Sequence, residues 1–224
     1  MTYIIILILL FIVTRFLVKS FVSIRKKNPV PDENQTVSQS KGTSEDMASG
    51  KDALWYHEDD YCMIELTPKE NIKALNDESE IINAKSKENF DGYGFTDIHV
   101  ISDEKIGLDI RQISPVTLDE IVNKTGIQKA SSVATGYSTH REGRKNTFGF
   151  GAGYAAIYYS VKGGTVDRIW FTNLSSLDKE KVIPCLNEIG EKWNLVLMDW
   201  FQTKVVELSD RNEIEIYLKG PDEN

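Results

Sequence analysis

The feature that most constrains this chain is its beginning. Tyr3–Val13 reads YIIILILLFIV without a polar interruption, and Phe16-Leu17-Val18 and Phe21-Val22 continue the apolar pattern past Arg15 and Lys19. A bilayer core takes about 20 helical residues. The clean run is too short alone, but Thr2–Ile24 suffices if both cations belong to the interface. They fall on one helical face, and their long stems can carry the charge outward. The sequence therefore predicts one transmembrane helix in the lipid bilayer within residues 2–24, most economically Thr2–Val18 with Arg15 snorkelling. A cleaved signal peptide would place cations before the run and small residues after it, and neither is present. An interfacial amphipathic helix would be apolar on one face, whereas the first half here is apolar all round.

Charge orients this anchor. Residues 1–27 contain Arg15, Lys19, Arg25, Lys26 and Lys27 and no acid, a charge of +5, so that a total of -8 leaves -13 on residues 28–224. The positive-inside rule puts the basic flank, and the domain behind it, in the cytoplasm. The acidic balance argues against nucleic-acid binding, which needs a positive surface. Two cysteines, Cys62 and Cys185, cannot supply a disulfide framework or a four-thiolate zinc site.

Residues 28–52 are rich in Pro, Gly, Ser, Asn, Gln and acids and read as a flexible linker. A coil of that length spans roughly 25–30 Å. Residues 53–224 are long enough for one domain with a real core. Within it Tyr61–Leu66 reads as a strand. Thr67-Pro-Lys-Glu70 has the form of a capping box opening a helix to about Ala84, with Ile72, Leu75 and Ile82 inward. Phe95–Ile101 and Ile106–Ile110 read as strands, the second by period-two apolar spacing. Thr117-Leu-Asp-Glu120 repeats the capping pattern for a short helix that Gly126 ends. Tyr154–Val161 and Val166–Thr172 flank Lys162-Gly-Gly-Thr165, a hairpin signature. A helix capped at Ser175 or Ser176 runs to about Trp193, with Pro184 inside its pattern, and Leu195–Trp200 and Ile214–Leu218 close the domain as strands. The expected class is α+β: a single, mostly antiparallel sheet with about three helices behind an N-terminal transmembrane helix.

Two polar clusters are the candidate sites. His57-Glu58-Asp59-Asp60 joins an imidazole to three carboxylates, the residue types of a metal or general-base site, although adjacent residues converge only if the backbone curls. Ser138–Lys145 is a basic island in an acidic domain, and His140, Arg141, Arg144 and Lys145 could hold a phosphate or a partner's carboxylates. Gly149-Phe-Gly151-Ala-Gly153 leads into an apolar strand rather than a helix, so it offers no anion site and reads as close strand packing. Asp199 ends a hydrophobic strand, a position that suits either a catalytic carboxylate or a plain strand terminus. Both cysteines read as core. No metal, cofactor or catalytic signature emerges, and both clusters are expected to serve a protein partner.

An acidic α+β domain on an anchor, with the segments WYHEDDYCMIEL (55–66), TGYSTHR (135–141) and LMDW (197–200), resembles the bacterial immunity proteins that neutralise polymorphic, contact-dependent or type VI-delivered toxins. The resemblance implies an inner-membrane protein whose cytoplasmic domain occludes a basic toxin site. Two other readings are open: a membrane-tethered enzyme or ligand sensor, which requires His57, Asp60 and His140 to converge, and a structural subunit of an envelope complex.

Overall fold

The computed structural model describes residues 52–220 except 95, 98, 103–104 and 138–139. The predicted anchor, its five cations and the linker up to residue 51 lie outside the described residues. No helix among the described residues is long and apolar enough to cross a membrane.

The domain is α+β, with two sheets rather than the single one expected. Strands β1 (Ala53–Tyr56), β3 (Ser132–Tyr137) and β4 (His140–Gly143) form a small sheet in the order β1-β3-β4, parallel between β1 and β3. The larger sheet is fully antiparallel. It orders β5 (Thr147–Ala152), β6 (Ala155–Lys162), β7 (Thr165–Thr172), β2 (Ile64–Pro68), β8 (Leu195–Asp199) and β9 (Lys204–Glu207) as β5-β6-β7-β2-β8-β9. Four α-helices accompany them among the described residues: α1 (Ile72–Glu88), α2 (Pro115–Asn123), α3 (Lys179–Trp193) and α4 (Arg211–Lys219).

Alternation along the strands divides the six-stranded sheet into two chemically different faces. Ile157, Tyr159, Ile169, Phe171, Leu66, Leu197 and Val206 pack with Leu118, Val182, Leu186, Ile189 and Ile214 in one buried core beneath α2, α3 and α4. The opposite face has two covers. Leu54, Tyr56 and Val133 of the small sheet pack on Ala156, Tyr158 and Trp170, while Leu75 of α1 packs on Val196, Met198 and Trp200. Gly149 lets the small sheet sit down closely, since a Cβ there would lie 2.9 Å from Leu54 Cδ1.

Several local expectations are corrected. Thr67 does not cap a helix: β2 pairs with β8 through Pro68, a 3-10 turn follows, and α1 begins at Ile72. Ile106–Ile110 is not a strand; its end joins a 3-10 turn at Leu108–Arg111, where Leu108 is buried while Ile106 and Ile110 face solvent. The described part of 95–101 has no strand pairing. Ile214–Leu218 lies in α4, because Asp210 accepts hydrogen bonds from the N–H groups of Asn212 and Glu213 and buries Ile214, Tyr217 and Leu218 at helical spacing. Asp178, not Ser175 or Ser176, caps α3, and Pro184 stands in the helix interior on its exposed side, where the carbonyl it leaves unpaired can reach water. Thr117 caps no helix either: Ser114 holds the N-cap position of α2 and Pro115 its first turn, so Thr117 lies inside the helix. The Lys162–Thr165 hairpin and the strand from Leu195 have the expected form.

Candidate functional site

Small residues in β3 decide what stands on the outer side of the small sheet. Trp55 of β1 lies opposite Ala134, and Arg141 of β4 lies opposite Gly136. Neither Ala134 nor Gly136 fills the space above the strand. Gly136 has φ +122°, and a Cβ on it would meet the His140 carbonyl oxygen at 2.2 Å, so glycine is what permits β4 to approach. Arg141 then reaches across, its guanidinium carbon 4.3 Å from the Trp55 ring centroid. Stacking holds it there: Arg141 Nε is buried with no hydrogen-bond partner among the described residues. Tyr154, in the turn between β5 and β6, packs on the same indole with ring centroids 5.5 Å apart.

One residue of each polar cluster singled out in the sequence reaches this indole, Arg141 directly and Asp60 through Tyr154. Asp60 ends a 3-10 turn formed by Glu58–Asp60, and its carboxylate accepts the Tyr154 hydroxyl. Burial, reinforced by that carboxylate, holds the Tyr154 phenol well above the ordinary tyrosine range. His57 caps the turn, its Nδ1 accepting the Asp59 N–H at 3.1 Å, and its ring meets Tyr137 edge-on at 4.5 Å. His140 pairs across the strands with the same Tyr137. Arg144 lines an open depression of about 310 Å³ beside Glu58 and Tyr61, with buried Tyr56 and Thr135 contributing to its lining. Lys145 is exposed in the turn that follows. Tyr61, Tyr137 and Tyr154 are each about two-fifths exposed, so aromatic surface is offered to solvent among charges of both signs.

The polar side chains of the two clusters do not converge on one point. Asp60 is engaged by Tyr154 and His57 by the Asp59 backbone, while His140 stands on the far side of Tyr137. Among the described residues no group of three or more His, Cys, Asp or Glu side chains is placed to hold a metal ion. Cys62 and Cys185 are buried, and burial pushes each thiol up to about 12, which leaves no thiolate to act as a nucleophile near neutral pH. Asp199 ends β8 and is buried. Its carboxylate accepts from Gln202 N at 3.0 Å, Gln202 Nε2 at 2.9 Å and Tyr217 Oη at 2.8 Å.

The sequence reading missed Trp55, Tyr137 and Tyr154, whose aromatic character in strand-like segments is indistinguishable from core. It also missed Glu65. This residue lies on β2 where the two covers of the sheet leave a seam; its Oε1 accepts Trp200 Nε1–H at 3.1 Å and its Oε2 lies 3.9 Å from Arg168 Nη1. Burial raises the Glu65 carboxyl above the usual range despite these partners.

No family model matches the chain, and no curated protein or solved structure is similar to it.

Proposed function

We propose that the domain is a protein-binding module held beside a membrane, and that it recognises its partner through the outer side of the small sheet around Trp55. What supports this reading is one observation: three separate segments bring Arg141 and Tyr154 onto the Trp55 indole, with Asp60 holding the Tyr154 hydroxyl. Trp, Tyr and Arg are the residues in which binding energy concentrates at protein interfaces. Their side chains are already positioned by stacking and hydrogen bonding, so little ordering entropy opposes association.

The partner class follows from charge. The -13 on residues 28–224 steers a basic protein toward the domain, while Glu58, Asp59 and Asp60 against Arg141, Arg144 and Lys145 fix its register. Together with the resemblance to immunity proteins and the anchor expected at residues 2–24, the reading is that the module neutralises a toxin by covering its basic site at the inner face of the membrane.

The test is co-purification of the tagged full chain from its host, with each captured protein expressed alone and together with this chain. A captured protein that arrests growth alone, is tolerated with the wild-type chain and is lethal beside Trp55→Ala/Arg141→Glu fits the proposal. Captured proteins that are harmless alone, or whose capture survives the double substitution, refute it.

A further inference from the structure

The second cover of the same sheet face encloses a different feature. Where α1 and the segment after it close over β8, they leave a groove of about 260 Å³. Its apolar walls are Met63, Ile82, Ile101 and Trp200. One lip is polar and organised. Lys85 Nζ lies 3.3 Å from His99 Nδ1, and His99 Nε2 lies 2.5 Å from a Glu78 oxygen. An ammonium only donates, so Nδ1 accepts from Lys85 and Nε2 carries the proton given to Glu78. The imidazole is thus used on both sides, and the Lys85 ammonium is fixed at the groove with N–H donors beyond the one given to His99. Lys105 Nζ lies over the Trp200 ring at 4.4 Å, outside the groove's lining and facing the Glu65 and Glu78 carboxylates. Among the described residues Asp97 is the one carboxylate lining the groove, and Glu78 is engaged by His99.

We propose that this groove binds an aliphatic monocarboxylate, its chain against Met63, Ile82, Ile101 and Trp200 and its carboxylate on Lys85. An apolar pocket with few convergent polar groups is the usual form of a small-molecule site. The volume falls just below the usual range of about 300–1,000 Å³, which selects one short chain over a two-chain lipid. The spare N–H donors of Lys85 select an acid over an amine, since Asp97 is already partnered, and Asp97 disfavours a second carboxylate on the ligand. The site shares no residue with the surface around Trp55, and neither proposal depends on the other.

Hydrogen–deuterium exchange of the full chain in lipid nanodiscs, with octanoate, octylamine or 1-octanol added, tests this directly. Octanoate should slow exchange saturably in peptides covering 78–102, with octylamine weaker by about tenfold or more, the scale of one charge-assisted hydrogen bond. Lys85→Gln should weaken octanoate by a similar factor and leave 1-octanol unchanged. Ile82→Trp, which fills the groove from a partly exposed position, should abolish the response to all three. Exchange in 78–102 that octanoate leaves unchanged, that responds equally to all three head groups, or that is indifferent to Lys85→Gln overturns the proposal.

Discussion

The two faces of the six-stranded sheet are built from different materials. Beneath the three helices lies one contiguous core, dominated by Leu, Ile and Val. The opposite face is covered in two pieces. Trp170 there is stacked with Tyr158 at 5.4 Å and met edge-on by Tyr56 and Tyr61, and the seam between the covers holds Glu65, Arg168 and Trp200. Aliphatic side chains fill volume without asking for a polar partner, and so suit a face whose role is stability. Aromatic and ionisable side chains ask for polar partners: the Tyr158 hydroxyl donates to the Trp55 carbonyl and the Trp200 indole to Glu65, while Trp170 Nε1 is buried with no hydrogen-bond partner among the described residues. Both candidate sites lie on this second side of the sheet. One face secures the fold, and the other carries both proposed sites.

The largest expected effect would come from the helical face. Leu186→Ala removes a fully buried side chain from α3 and should cost about 2–5 kcal/mol, read as a lower denaturation midpoint with the slope unchanged. A loss below 1 kcal/mol would mean that this core is looser than its packing. Next is Asn71, which ties the chain after α1 to the sheet edge by donating to the Ile106 carbonyl at 2.9 Å and accepting the Ile106 N–H at 3.0 Å. Asn71→Ala should cost about 1–3 kcal/mol and raise exchange at Ile106 while sparing α3. Uniform loss of protection would show that the two covers are not separate.

The Glu65 seam gives a pH signature. Its carboxyl is raised in the folded state, chiefly by burial, so its contribution favours folding while it is protonated. That contribution is present below the ordinary glutamate range and is lost as pH rises through the raised folded value. Subtracting the pH–stability profile of Glu65→Gln from that of the wild type should isolate a difference that declines across this window. A flat or rising difference would place the carboxylate in a better-solvated site. The smallest effect belongs to Arg141→Ala. It removes one partly exposed stacking contact and should change stability by about 1 kcal/mol or less. A larger loss would make the Trp55 surface part of the fold's support and weaken the comparison.

Much of this was legible in the sequence where one signal stands alone. The diglycine at 163–164 gave its hairpin. The apparent capping box at Thr117 announced α2 but not its start, which Ser114 and Pro115 provide. Legibility failed where spacings coincide. IEIYL at 214–218 satisfies both a period of two and the i, i+3, i+4 pattern, and only the Asp210 cap selects the helix. Ile106, Leu108 and Ile110 alternate like a strand but pair with no strand among the described residues, and the chain turns at Leu108–Arg111 instead. The separation into two sheets rests on the parallel pairing of β1 with β3, about eighty residues apart, which no local pattern reports. For the same reason the two polar clusters were visible singly, while the contact of Arg141 with Trp55, and of Asp60 with Tyr154, was not.

The central claim, that recognition belongs to the face around Trp55, is tested most directly by hydroxyl-radical footprinting of the full chain with and without its captured partner. The account predicts that Trp55 and Tyr154 lose reactivity in the complex while the exposed side chain of Ile216 on α4 keeps its own. Protection of α4 with Trp55 and Tyr154 unchanged would contradict it.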